Sequence, residues 1–316
     1  MVKLIAGLMG SSVATGSSKM ASTDQIRPFL AMLRNHDITE LDTARVYNSG
    51  KSEEDLGAIP EAQANFKIAT KAPGFSPGSL SAEKVIANCK ASLAALQQDQ
   101  IELYYFHGPD RQTPLEESCK AINQLYQEGK IAEFGISNFN KDEVEEIHST
   151  CSMNGWLAPT VHQGGFNPLS RAAEEKLFPT LRKLNMAFYA FSPLAGGYFS
   201  RSTDQLREPP AGGRYDQMKH FKNMYVNDLS LELHDMLSEA CAREDVTVKA
   251  AALRYLAHHS ALRDEDGIIL GASSQEQMEE NLAACEAEKL PGSIVSAFEL
   301  LWTRYKGHGY SDMYCV

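Results

Sequence analysis

The sequence predicts an α/β protein in which eight strand-and-helix units close into one (β/α)8 TIM-type barrel, and three observations lead there. Short apolar runs alternate with stretches of helical spacing along nearly the whole chain. The runs are apolar on both faces, as strands covered by helices outside and by side chains inside require. Three of them run into residues capable of chemistry, Asp42, Lys71 and His107, and an α/β barrel gathers its chemistry at the C-terminal ends of its strands. An open doubly wound sheet is the alternative on pattern alone, but no G-x-G-x-x-G follows the first run.

Leu4 to Met9 is the first strand, ending at Gly10-Ser11-Ser12, and Thr23 to Asn35 places Ile26, Phe29, Leu30 and Leu33 on one helical face behind a Ser22/Thr23 cap. Ile38 to Asp42 precedes a helix over Glu53 to Ile59, and Phe66 to Lys71 precedes one over Ala82 to Leu96. Ile101 to His107 leads to Pro114 to Glu128, Ala132 to Ser137 to Lys141 to Thr150, and Thr160 to Gln163 to Arg171 to Leu184. Ala187 to Ser192 leads instead into a long loop, Ala195 to about Asp228, whose length and place predict a lid over a phosphate-bearing ligand. Ile268 to Leu270 with Gln275 to Cys285 is the eighth unit, and Ser293 to Lys306 adds an amphipathic C-terminal helix. No repeat, low-complexity tract or linker divides the chain, so residues 1–316 read as a single domain.

With 316 residues, 43% hydrophobic and 22% charged, the chain can bury a large core. A net charge of −11 disfavours nucleic acid or an anionic membrane as partner, because both repel an acidic surface at long range. No run approaches the ~20 apolar residues of a membrane span, and Met1 to Met9 lacks the apolar segment of a signal peptide, which predicts a cytoplasmic protein. The cysteines at 89, 119, 151, 241, 285 and 315 form no C-x-x-C pair and no cluster with histidine, so they read as reduced thiols, mostly in helices, and no metal site is expected. Gly50-Lys51-Ser52 imitates the end of a phosphate-binding loop, but Arg45 stands where that motif needs glycine. His258-His259 has no third ligand nearby and reads as packing.

Each polar residue at the strand ends has a structural reading of its own: Asp42 as a helix cap, Tyr47 as loop packing, Lys71 as a snorkelling side chain, His107 as a turn former. Their common position makes the chemical reading stronger. A buried Lys71 paired with Asp42 is expected to stay cationic and to lower the pKa of the Tyr47 phenol from its usual value of about 10. Tyr47 then serves as a general acid, and a neutral His107 orients a carbonyl oxygen by hydrogen bonding. Such a site protonates an alkoxide but has no electrons to give, so it implies a hydride-donating cofactor.

Asp42-Thr43-Ala44-Arg45-Val46-Tyr47, Lys71, His107-Gly108-Pro109, Gly135-Ile136-Ser137-Asn138-Phe139 and Gly271-Ala272-Ser273-Ser274 resemble the aldo-keto reductase superfamily. Phe188-Tyr189-Ala190-Phe191-Ser192-Pro193-Leu194-Ala195-Gly196-Gly197 and Leu256-Ala257-His258-His259-Ser260 are similar to its aflatoxin-aldehyde reductase branch. The resemblance runs from about residue 4 to about residue 305. It implies reduction of an aldehyde or ketone with NADPH/NADP+ in a (β/α)8 barrel, with Tyr47 as acid, Asp42 and Lys71 tuning it and His107 orienting the carbonyl. It further implies that Ser137, Asn138 and Gln163 hold the nicotinamide carboxamide and that Phe191 stacks on the ring. Ser192, Leu194, Gly196 and Gly197 would wrap the pyrophosphate, where glycine allows close backbone approach. Ser273, Gln277 and Asn281 match the adenosine end, with Ser273 at the start of a helix, and Arg214 and then Arg201 are the cations for the 2′-phosphate.

In that branch, arginines in the loop after strand seven and at the C-terminus bind a substrate carboxylate. Here Met224 of His220-Phe221-Lys222-Asn223-Met224-Tyr225 aligns with the loop arginine, and Tyr310 to Val316 contains none. The expected substrate is a bulkier, less charged small-molecule carbonyl compound, bounded by Met9, Phe139, Met224 and the tail, rather than a small acidic aldehyde. Two other functions stay open: a redox-sensing regulatory subunit like the potassium-channel β subunits, and NADP+-dependent oxidation of an alcohol in a biosynthetic pathway. The quaternary state is expected to be a monomer or a homodimer.

Overall fold

The computed structural model describes residues 2–9, 23–209, 211, 214–217 and 219–309, without the side chains of 214, 217, 220 and 221. Its strands are β1 (Lys3–Gly7), β2 (Glu40–Asp42), β3 (Lys67–Ala72), β4 (Ile101–Phe106), β5 (Ile131–Ser137), β6 (Val161–Gly165), β7 (Ala187–Phe191) and β8 (Gly267–Gly271). They follow one another around a closed parallel barrel, β8 pairing back on β1 from Lys3 with Gly267 to Gly7 with Gly271. The open sheet is thereby excluded.

Side chains alternate along each strand, so every second residue points into the barrel. Ile5, Leu103, Tyr105, Val161, Tyr189 and Ile269 form an interior cluster. The opposite faces, including Leu41, Ile68, Tyr104, Phe106, Ile136 and Phe188, join the larger core between strands and helices.

The helices are α1 (Thr23–Asn35), α2 (Lys51–Gly57), α3 (Pro60–Asn65), α4 (Ala82–Leu96), α5 (Leu115–Gln127), α6 (Lys141–Asn154), α7 (Ala173–Lys176) and α8 (Phe178–Lys183). After β7 come α9 (Thr203–Arg207), α10 (Arg214–Gln217), α11 (Lys219–Tyr225), α12 (Asp228–Arg243) and α13 (Val248–His258), then α14 (Gln275–Glu286) and the additional C-terminal α15 (Gly292–Tyr305). The helix expected over Arg171 to Leu184 is two short helices. Leu177 leaves helical geometry at φ −122°, and Pro179 at the start of α8 cannot donate to the preceding turn. The stretch expected as a lid loop carries regular structure: Ala195–Ser200 forms a 3-10 turn, and a Ser202–Gln205 capping box starts α9.

At the N-terminal end, the buried Asp266 carboxylate accepts hydrogen bonds from both Arg182 terminal nitrogens at 2.8 and 2.5 Å and from the Phe188 and Arg263 amides at 2.7 Å each. A cavity of about 540 Å³ opens at this end, lined by Lys3, Glu40, Lys67, Glu133 and Tyr189 among others, and reaches inward to Asp42. Among the described residues no helix is long and apolar enough to cross a membrane. Cys89, Cys119, Cys151, Cys241 and Cys285 are free, buried and helical, as expected, while Cys315 lies outside the described residues.

Candidate active site

The loop after β2 is built around a run of left-handed residues, Asn48 (φ +50°), Ser49 (φ +54°) and Gly50 (φ +93°), directly after Tyr47. Arg45 holds this turn: its Nη1 lies 2.5 Å from Glu53 of α2, whose other oxygen accepts from Thr70 Oγ1 at 2.6 Å. Glu53 is fully buried, and these two partners satisfy its carboxylate oxygens. Tyr47 therefore hangs from a turn clamped to β3 and α2.

Lys71, fully buried, donates to Asp42 Oδ1 at 2.6 Å and to the Thr43 carbonyl at 2.7 Å. Gln163 Nε2 donates to the second carboxylate oxygen, Oδ2, at 2.7 Å. Lys71 Nζ sits 5.2 Å from the Tyr47 ring centroid and 5.6 Å from that of Tyr105. His107 meets the edge of Tyr47 with centroids 5.7 Å apart. Asp42, Tyr47, Lys71 and His107, expected together from sequence, come together at the C-terminal mouth of the barrel.

The electrostatics correct one expectation. Burial, reinforced by the Asp42 charge, raises the Tyr47 phenol above its ordinary range rather than lowering it. Burial also lowers Lys71, against the pull of Asp42. Desolvation outweighs the neighbouring ammonium, whose hydrogen bonds go to Asp42 and the Thr43 carbonyl. Tyr47 is accordingly a neutral, loaded proton donor through the physiological range. His107 is pushed down to about 3, by burial first and the Lys71 charge second, so its ring is neutral as expected.

β5 and β6 end side by side, with Ser137 paired to Gln163 in register. Asn138 takes φ +64°, a conformation asparagine tolerates, and turns its Nδ2 onto the His107 carbonyl at 2.9 Å and Ser137 Oγ at 3.0 Å. Ser137, Asn138 and Gln163 thus form one group of hydroxyl and amide functions beside His107.

After β7 the backbone is again left-handed at Ser192, Ala195, Gly196 and Gly197. Gly197 at φ +100° is required twice, for its conformation and because a Cβ would meet the Arg201 guanidinium. Arg201 Nη1 donates to the Gly197 carbonyl at 2.5 Å, and its guanidinium lies 4.6 Å over the Tyr215 ring, so it fastens this turn. Arg214 opens α10, with its side chain outside the described residues. At β8, Ser273 and Gln277 are hydrogen-bonded at 2.9 Å, and Asn281 donates to the Gly271 carbonyl at 3.3 Å. The cap of α14 is Ser274, not Ser273.

The substrate residues divide. Met9 is exposed and Met224 half-buried, but Phe139 is closed into the core against Phe106, which takes its ring away from an open pocket wall. The tail from Tyr310 lies outside the described residues. Sequence reasoning missed Phe75, whose ring centroid stands 5.8 Å from that of His107, and Tyr105, whose ring lies in the barrel interior with its centroid 5.6 Å from Lys71 Nζ. An aromatic in a loop just past a functional strand end was the available signal for Phe75; Tyr105 carried none, because an apolar strand hides which of its residues point inward.

The residues present fit a nicotinamide dinucleotide. Ser137 Oγ, the Asn138 amide oxygen and the Gln163 side chain supply the donor and acceptor set that a carboxamide needs. The left-handed run from Ser192 to Gly197 gives a backbone that a pyrophosphate can approach closely. Among the described residues no group of three or more His, Cys, Asp or Glu is placed to hold a metal ion.

The profile of the Aldo/keto reductase family matches residues 3–302. The chain is 39% identical over 297 residues to aflatoxin B1 aldehyde reductase member 2 of Homo sapiens, covering 89% of this chain and 82% of that one. It is 37% identical over 292 residues to oxidoreductase sirO of Leptosphaeria maculans, covering 90% and 88%. It is 30% identical over 327 residues to aldo-keto reductase pigE of Monascus ruber, covering 96% and 94%. Family members of this kind reduce small carbonyl compounds with a nicotinamide dinucleotide. Because these matches span the barrel from its first strand into its last helix, the chain belongs to the aldo/keto reductase family and is an oxidoreductase.

Proposed function

We propose that this protein reduces an aldehyde or ketone to the alcohol with NADPH, with Tyr47 as the general acid. The observation that carries the reading is the convergence of Lys71, Asp42 and the Tyr47 ring, with His107 at the ring's edge. Bound NADPH would supply a hydride to the carbonyl carbon. As negative charge develops on the carbonyl oxygen, the Tyr47 hydroxyl gives it a proton and becomes a phenolate, which Lys71 stabilises at short range. Asp42 keeps the ammonium in place and Gln163 keeps Asp42 in place. The neutral His107 donates its ring N–H to the same oxygen and fixes its direction. Solvent then returns a proton to Tyr47, so one carbonyl, one hydride and one proton give one alcohol.

Ser137, Asn138 and Gln163 would hold the carboxamide, and Phe191 would face the ring. Ser192, Leu194, Gly196 and Gly197 would wrap the pyrophosphate, with Ser273, Gln277 and Asn281 at the adenosine. Arg214 and Arg201 are the proposed cations at the 2′-phosphate. The absence of arginine at position 224 supports a bulky substrate without a carboxylate. The test is loss of NADPH absorbance with a panel of neutral aryl and aliphatic aldehydes, succinic semialdehyde and NADH controls. Turnover with NADPH and a preference for neutral bulky aldehydes is expected; preference for succinic semialdehyde overturns the substrate class, and no turnover with any carbonyl compound overturns the activity.

A further inference from the structure

Beside the imidazole that is to orient the carbonyl stands an aromatic ring to which none of the roles above gives a task. Phe75, in the loop between β3 and α4, is 62% exposed. Its backbone takes φ +68°, a left-handed conformation unfavourable for a bulky side chain. The loop is built to hold it there. The Phe75 amide donates to the Pro109 carbonyl at 3.2 Å. At Gly108 a Cβ would clash with two Phe75 ring carbons, so this glycine makes the room in which the ring lies. The ring centroid stands 5.8 Å from that of His107, tilted by 60°, while Tyr47 meets the same imidazole edge-on. Tyr47 and Phe75 both flank the group that is to orient the carbonyl.

A strained backbone and an exposed aromatic ring each cost stability, and neither serves the core. Strain of this kind collects where a ligand is clamped. The neighbouring loops share the character: Val46 after β2 is 51% exposed and Met9 after β1 is 48% exposed, so apolar surface lines successive loops of the mouth.

We propose that Phe75 is a specificity-determining residue, its face taking a flat aryl or conjugated body attached to the carbonyl carbon. This rests on the reductase reading above. Stacking on Phe75 would set the carbonyl oxygen toward His107 and Tyr47, so a planar substrate gains affinity that a saturated one of equal size does not.

The test compares kcat/KM for 2-naphthaldehyde and cyclohexanecarboxaldehyde in the wild type, Phe75→Ala and Phe75→Trp, with NADPH affinity measured by fluorescence. In Phe75→Ala the aryl-to-saturated ratio is expected to fall about tenfold, chiefly through KM, at unchanged NADPH affinity. In Phe75→Trp it is expected to be kept or raised. An unchanged ratio in a fully active Phe75→Ala enzyme, or an equal loss for both substrates, overturns the role of Phe75 alone. Turnover of other carbonyl compounds but of neither of these two aldehydes overturns this inference alone, and no turnover with any carbonyl compound overturns the reductase reading and this inference with it.

Discussion

Tyr47 keeps its proton because burial outweighs the neighbouring ammonium, and this ranking decides how the site behaves with pH. His107, held neutral by burial and by Lys71 with a pKa of about 3, has no charge to lose in the physiological range. Its ring resonances in an NMR titration should stay unshifted from pH 8 down to about pH 5; a midpoint near 6.5 would contradict the account. The same depression bears on stability. Between the unfolded value near 6.5 and the folded value of about 3, the unfolded chain binds more protons at His107. The stability His107 contributes is thus complete above pH 6.5 and is lost as pH falls toward 3. His162, fully buried and lowered to about 4, acts in the same direction. The melting temperature should fall on acidification, and less steeply in His162→Gln. Gln163 is a second test at this scale. Gln163→Leu frees Asp42 Oδ2, and should change the pH profile of kcat as well as cofactor affinity; a change in cofactor affinity alone would show that its bond to Asp42 is idle.

Elements set these residues in place, and their legibility in the sequence varied for physical reasons. α4 was readable to the residue because it is a regular amphipathic repeat ended by a left-handed Gln97, and β4 to within one residue because its apolar run is broken only by Glu102 and stops at Phe106, before His107. α3 was missed because it is a single short stretch whose best signal was Pro60 at its start. The catalytic candidates were legible because strand alternation fixes what lies at a strand end. Glu53 was not, since nothing local says that a helix carboxylate will be buried against Thr70 and Arg45. Glu53→Ala removes the anchor of the Tyr47 turn and leaves Arg45 uncompensated. It should cost on the order of 3 kcal/mol in urea unfolding and lower kcat at unchanged NADPH affinity. Gly197→Ala meets both a left-handed backbone and the Arg201 guanidinium. It should weaken NADPH binding by roughly tenfold or more, as fluorescence titration would report.

Across the whole molecule the two ends of the barrel divide the work. The C-terminal mouth collects strained turns, polar groups and the exposed side chains of Met9, Val46 and Phe75, while the N-terminal end is pinned by Asp266 between Arg182 and the Phe188 and Arg263 amides. Asp266→Ala takes from the half-buried Arg182 and from the Phe188 and Arg263 amides the buried acceptor they share, and should destabilise the fold by about 3 kcal/mol. Below its melting temperature it should keep wild-type kcat/KM, and a specific loss of turnover in the folded variant would contradict this division. The central claim, that the Tyr47 phenol delivers the proton, is tested most directly by NADPH-dependent aldehyde reduction in Tyr47→Phe. The account predicts a fall in kcat of about 10²- to 10⁴-fold with NADPH affinity and melting temperature unchanged; turnover at the wild-type rate would contradict it.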